Sequence, residues 1–201
     1  MKYWAGKNRG QQGRDALFDA EWYLSENPDV VRAKKEPLSH YLQYGWQERR
    51  NPHPLFDVGL YLQAYPDVAD ANIEPLGHYL KYGWREARNP HPLFDVSFYL
   101  QRYEDVAEAG VEPLSHYISE GWREGRDPHP LFSTRHYVEC YRQLLGSGLN
   151  PLQHYVVAGW MIGCEPNPNF NGSHYVRRNP EAMKSGRSPL LHFVLEGGHT
   201  R

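Results

Sequence analysis

Phe18, Phe56, Phe94, Phe132 and Phe170 recur at a fixed interval of 38 residues. A period of that length, held over five copies, restricts the chain to a repeat architecture. One small unit is copied in tandem, and neighbouring copies cover one another's apolar faces. Other columns keep the same interval: Tyr23, Tyr61, Tyr99, Tyr137 and Tyr175; Pro37, Pro75, Pro113, Pro151 and Pro189, each followed by Leu; His40, His78, His116, His154 and His192; and Gly45, Gly83, Gly121, Gly159 and Gly197. The expected organisation is an N-terminal segment and partial cap over 1–17, then repeats over 18–55, 56–93, 94–131 and 132–169. A degenerate fifth repeat, or C-terminal cap, covers 170–201. Gln12 to Asp15 followed by Leu17-Phe18 resembles the tail of a unit, as a capping segment requires.

Within a repeat, the residue after each Phe is Asp19, Asp57, Asp95, Ser133 or Asn171, all good helix N-caps. Phe18 precedes its cap and Tyr23 stands four beyond it, the spacing of a hydrophobic staple. The first helix is therefore predicted over about Ala20–Glu26. Asn27-Pro28-Asp29-Val30 predicts a second short helix opened by proline and ending near the glycine seen at Gly110, Gly148 and Gly186. A third helix starts at Pro37 and runs through Leu38, His40, Tyr41 and Leu42. There Gly45 either stops it or admits a neighbouring backbone. The segment Trp46 to Arg50 adds another turn, and Asn51-Pro52-His53-Pro54 reads as an extended connector. Helices this short need neighbours to cover them, so the predicted fold is all-α, a tandem array of five 38-residue units stacked as an α-solenoid.

Composition narrows the function. With 22 Lys and Arg against 24 Asp and Glu, no basic field exists to hold nucleic acid. Met1 to Arg14 carries no apolar run, and no stretch has the length of a transmembrane helix. Cys140 and Cys164 are the two cysteines; they form no disulfide framework and read as reduced thiols inside a cell. The expected location is the cytoplasm, with export lacking a visible signal as the other course. No phosphate loop, nucleophile elbow or zinc-hydrolase motif occurs, and a repeated His or Glu is unlike the single asymmetric constellation of an active site. The chain reads as a non-enzyme without cofactor.

Three sets of columns are candidates for a contact surface. Trp46, Trp84, Trp122 and Trp160 follow a glycine and adjoin charged residues, an arrangement suited to sugar rings or a partner's side chains; wedging between units is the structural alternative. Glu48 and Arg50 recur as Glu86 and Arg88, then Glu124 and Arg126, and vanish together as Ile162 and Cys164. Joint loss points to one shared purpose, an ion pair or a partner, against an Arg that ties down the connector. The ladder His40, His78, His116, His154 and His192 falls opposite the face of Leu38, Tyr41, Leu42 and Gly45. Its structural reading is a ring packed on the next unit and bonded to a loop carbonyl, and its functional reading is a ligand-contacting, metal-binding or enzymatic ladder. Helices packed about 8–10 Å apart cannot bring successive ladder histidines onto one ion, so no metal site is expected, although a pair such as His40 with His53 is compatible with one. Self-association as a spacer is a further reading.

The phrase Pro-Leu-x-His-Tyr-Leu-x-x-Gly-Trp-x-Glu-x-Arg-x-Pro-His-Pro-Leu-Phe-Asp, at Pro75 to Asp95, joins Phe-Asp-x-x-x-Tyr-Leu at Phe18 to Leu24 and Asn-Pro-Asp-Val at Asn27 to Val30. Together they resemble short tandem repeats that accompany bacterial glycosyltransferases, rhamnan-synthesis-type proteins and some secreted calcium-binding repeat proteins. The resemblance spans about Phe18 to Gly197 and weakens in the last two units, where Asp29 becomes Gln143 and Glu181. It implies a bacterial accessory module in cell-envelope or glycan work that binds a protein or polysaccharide. It implies neither transferase activity nor particular functional residues.

Overall fold

The computed structural model describes residues 17–146 and 149–197. The N-terminal cap expected over 1–17 lies outside them save for Leu17, as do Gly148 and the chain after Gly197. The fold is all-helical, and no strand occurs among the described residues. Contacts divide the chain into two units, 1–90 and 91–201. The first unit holds α1 (Ala20–Glu26), α2 (Pro28–Arg32), α3 (Pro37–His40), α4 (Val58–Ala64), α5 (Pro66–Asp70) and α6 (Pro75–Lys81). The second holds α7 (Val96–Arg102), α8 (Glu104–Ala109), α9 (Pro113–His116), α10 (Thr134–Tyr141), α11 (Pro151–Val157), α12 (Gly172–Arg178), α13 (Pro180–Lys184) and α14 (Pro189–Leu195).

Each repeat is built by the same local chemistry. Asp19, Asp57, Asp95, Ser133 and Asn171 accept the N–H three residues on, capping α1, α4, α7, α10 and α12. The staple forms as the spacing requires, with the Phe18 and Tyr23 rings 5.3 Å apart. α1 packs against α3, and in the same way α4 against α6, α7 against α9, α10 against α11, and α12 against α14. Between the helices lies an aromatic trio. In the third repeat, Phe94 is 5.4 Å from Tyr99 and 5.9 Å from Tyr117, and the two tyrosines meet edge to face. Such contacts add about 0.5–1.5 kcal/mol per pair beyond area burial, which short helices cannot supply alone.

The third helix of the repeat departs from expectation. It widens into a π turn at Tyr41–Gly45 and Tyr117–Gly121, and gives way to a 3₁₀ turn at Gly83–Glu86 and Gly159–Ile162. Gly45 closes the π turn, one of its two expected roles, and what it admits is a side chain instead of a backbone. A Cβ there would collide with the Tyr23 hydroxyl, and at Gly83, Gly121 and Gly159 with the hydroxyls of Tyr61, Tyr99 and Tyr137. The glycine column is thus a seat for the tyrosine column. The connector is a tight turn instead of an extended segment: Phe56 N–H bonds to His53 O at 3.0 Å, and Asp19 N–H bonds to Pro52 O at 2.9 Å.

Repeats also touch their neighbours inside each unit. The Tyr41 hydroxyl donates to Glu74, the N-cap of α6, at 2.9 Å. Tyr117 reaches Thr134 at 3.2 Å, and Tyr155 takes the Leu190 N–H at the start of α14 at 3.4 Å. A phenol from one repeat therefore meets the first turn of the next, where unpaired helix N–H groups gather.

Candidate functional site

The histidine ladder is explained by the tyrosine column. Each ladder histidine holds the tyrosine hydroxyl of its own repeat through Nδ1: Tyr23–His40 at 2.9 Å, Tyr61–His78 at 3.0 Å, Tyr99–His116 at 2.9 Å, Tyr137–His154 at 2.7 Å and Tyr175–His192 at 2.8 Å. The expected bond to a loop carbonyl in the next unit is replaced by this bond within the repeat. The reason is geometric. In the first four repeats the two helices cross so that the phenol ends over the glycine and beside the imidazole, closing a Tyr–His–Gly lock; in the fifth only the Tyr–His bond forms.

Desolvation lowers the pKa of His78, His116 and His154, favouring the neutral rings, and the Tyr hydroxyl can donate to Nδ1 or accept from it. Burial raises Tyr23 to about 12, with Arg50 acting in the opposite direction, and burial also raises Tyr61, Tyr99 and Tyr137. These phenols stay protonated near neutrality. Among the described residues no group of three or more His, Cys, Asp and Glu is placed to hold a metal ion. In the pair considered from sequence, His40 Nδ1 faces Tyr23, and His53 Nδ1 accepts the Leu55 N–H at 3.0 Å.

The Glu and Arg columns form an ion-pair triad with the Asp of the second helix. Arg50 lies 2.6 Å from Glu48 and 2.8 Å from Asp29; Arg88 lies 2.7 Å from Glu86 and 2.8 Å from Asp67. Arg126 lies 2.5 Å from Glu124 and 2.7 Å from Asp105. The arginine hydrogen bond holds Asp29, Asp67 and Asp105 below their ordinary carboxylate range. The ion-pair reading is the one the geometry carries: Arg50 also bonds Asn27 Oδ1, tying the tail of the repeat to the start of α2.

The tryptophan column is set back from the surface. Trp46 and Trp84 are only 8% exposed, whereas Trp122 and Trp160 are half-buried. The indole N–H of Trp46, Trp84 and Trp122 donates to a carbonyl four residues earlier, on Leu42, Leu80 and Ile118. Arg85 lies over the Trp84 ring at 4.2 Å and Arg123 over Trp122 at 4.6 Å.

In the fourth repeat the triad's three positions carry Gln143, Ile162 and Cys164, and Met161 stands where Arg85 and Arg123 stood. Met161 and Ile162 are 61% and 62% exposed, and Val157 is exposed as well. Cys164 is buried against Tyr137, and Cys140 is exposed on α10 near His136. This apolar stretch beside Trp160 was not singled out from sequence. Its signal was the column itself, in which Arg, Arg, Met follow Trp84, Trp122 and Trp160.

Compared with known proteins, the chain matches no family model, no curated protein and no solved structure.

Proposed function

We propose that the chain is a non-catalytic binding module, its five repeats stacked as an α-solenoid, which recognises a protein or polysaccharide partner in bacterial cell-envelope or glycan work. The observation that carries this reading is a division of labour. The tyrosine and histidine columns bond to one another in all five repeats and the Asp, Glu and Arg columns in the first three, while variation gathers at exposed positions beside the tryptophans: Arg85, Arg123 and Met161 with Ile162. Phenol contacts between consecutive repeats inside each unit support the stacking. Guanidinium groups stacked on indoles, and apolar side chains beside Trp160, suit planar sugar faces or a partner's side chains.

The test compares the intact chain with two surface variants, Arg85→Glu with Arg123→Glu and Met161→Asp with Ile162→Asp, on a glycan array and in pull-downs from bacterial lysate. Loss of capture by a variant that keeps its circular dichroism and Tm supports the reading. Capture unchanged in both variants removes this surface, and growth of the scattering mass with concentration and no partner favours a self-associating spacer.

A further inference from the structure

The connectors carry a second set of histidines, separate from the ladder. His53, His91 and His129 each begin a His-Pro-Leu-Phe turn, in which the Phe N–H returns to the His carbonyl at 2.9–3.0 Å. In all three, the ring Nδ1 accepts the Leu N–H two residues on: His53 from Leu55 at 3.0 Å, His91 from Leu93 at 3.0 Å, and His129 from Leu131 at 3.1 Å. A backbone N–H can only donate, so Nδ1 must be unprotonated, and the proton of the neutral ring sits on Nε2. The imidazole does what an Asn or Asp side chain does in an Asx turn. The fourth repeat makes the point directly: Asn167 stands at the same position, and its Oδ1 accepts the Asn169 N–H at 2.8 Å.

We propose that His129 is an acid-operated latch, whose protonation at Nδ1 removes the acceptor for Leu131 N–H and frees the third connector, while Asn167 holds the fourth connector closed at every pH. Opening the latch releases Leu131 and Phe132, both buried. The proposal is independent of what the module binds.

The charge acting on the ring from the packed elements is Asp95, the N-cap of α7, and the next connector contributes the uncharged Asn167, whose Nδ2 bonds to Leu131 O at 2.6 Å. Desolvation outweighs Asp95 and brings His129 from 6.5 down to about 4. The folded pKa is below the unfolded one, so the unfolded chain binds the extra proton. Stability is full above about 6.5 and is lost as pH falls toward about 4. Asp127, two residues earlier, works in the opposite direction. Burial raises its pKa above 3.8, so its effect favours the fold as pH falls and lies at the acid end of the window.

Amide hydrogen exchange of the intact chain, corrected for intrinsic rates, reads the latch at Leu131 and its control at Asn169. The opening constant of Leu131 is expected to grow by about tenfold per pH unit below 6.5, with Asn169 unchanged. His129→Asn abolishes that trend, and Asn167→His transfers it to Asn169. A flat Leu131 profile, or the same trend in wild type and His129→Asn, overturns the proposal. Should either variant not fold, the wild-type comparison of Leu131 with Asn169 decides by itself.

Discussion

The third and fourth repeats lie in one unit and share their aromatic trio, their capped first helix and their Tyr–His–Gly lock, yet they differ in almost every exposed polar device. In the third, Arg126 joins Glu124 to Asp105 and the second helix α8 is formed. In the fourth, the triad is gone and no helix is assigned over 142–146. α10 instead runs on to Tyr141, and the buried leucine is Leu145, with Leu144 at 50% exposure where Val106 is buried. The loss of Asp, Glu and Arg therefore coincides with loss of the second helix and a one-residue shift of the buried position, while the lock stays intact. The difference teaches which columns hold a repeat together and which merely trim it.

The largest expected effect falls on the shared element. Gly121→Ala and Gly159→Ala each drive a methyl into a tyrosine hydroxyl, and each should cost about 2–3 kcal/mol in urea unfolding. Similar losses in both repeats sharpen the comparison, and a loss in only one breaks it. Next come Tyr99→Phe and Tyr137→Phe, which remove the hydroxyl partner of His116 or His154 and should cost about 1–2 kcal/mol each by the same measurement. The smallest effect belongs to the triad. Arg126→Met should cost the least of these, because its partners Asp105 and Glu124 are both exposed, and that cost should shrink further in high salt. Placing the triad in the fourth repeat, as Gln143→Asp, Ile162→Glu and Cys164→Arg together, should add salt dependence to its unfolding midpoint with little net stabilisation.

Much of this fold was legible in the sequence because its causes are local. The cap and staple placed α1 at Ala20–Glu26, and prolines opened α2, α5 and α13 as well as α3 and all its copies. What escaped depends on packing between helices. His40 looked misplaced on a uniform 3.6-residue wheel because its partner, Tyr23, lies 17 residues away on another helix. The caps of α3, α6 and α9 are Glu36, Glu74 and Glu112, an unusual choice whose sign was the replacement by Asn150 and Ser188 in later repeats. A second left-handed column, at Arg49, Ala87, Gly125 and Gly163, showed glycine in only two copies. Of the candidate site, the joint loss of Glu and Arg pointed correctly to an ion pair, but their third partner, Asp29, was distant in sequence. Burial of Trp46 and Trp84 depends on packing that repeat spacing does not reveal, since Trp122 keeps the same indole bond and is only half-buried.

The account rests on the interlock of glycine, tyrosine and histidine columns inside the first four repeats, and a double-mutant cycle on Gly121→Ala and Tyr99→Phe tests it most directly. Removing the hydroxyl vacates the space the new methyl needs, so the double variant should be more stable than the sum of the single losses predicts, by about 1 kcal/mol or more. Strict additivity of the two losses would contradict the interlock.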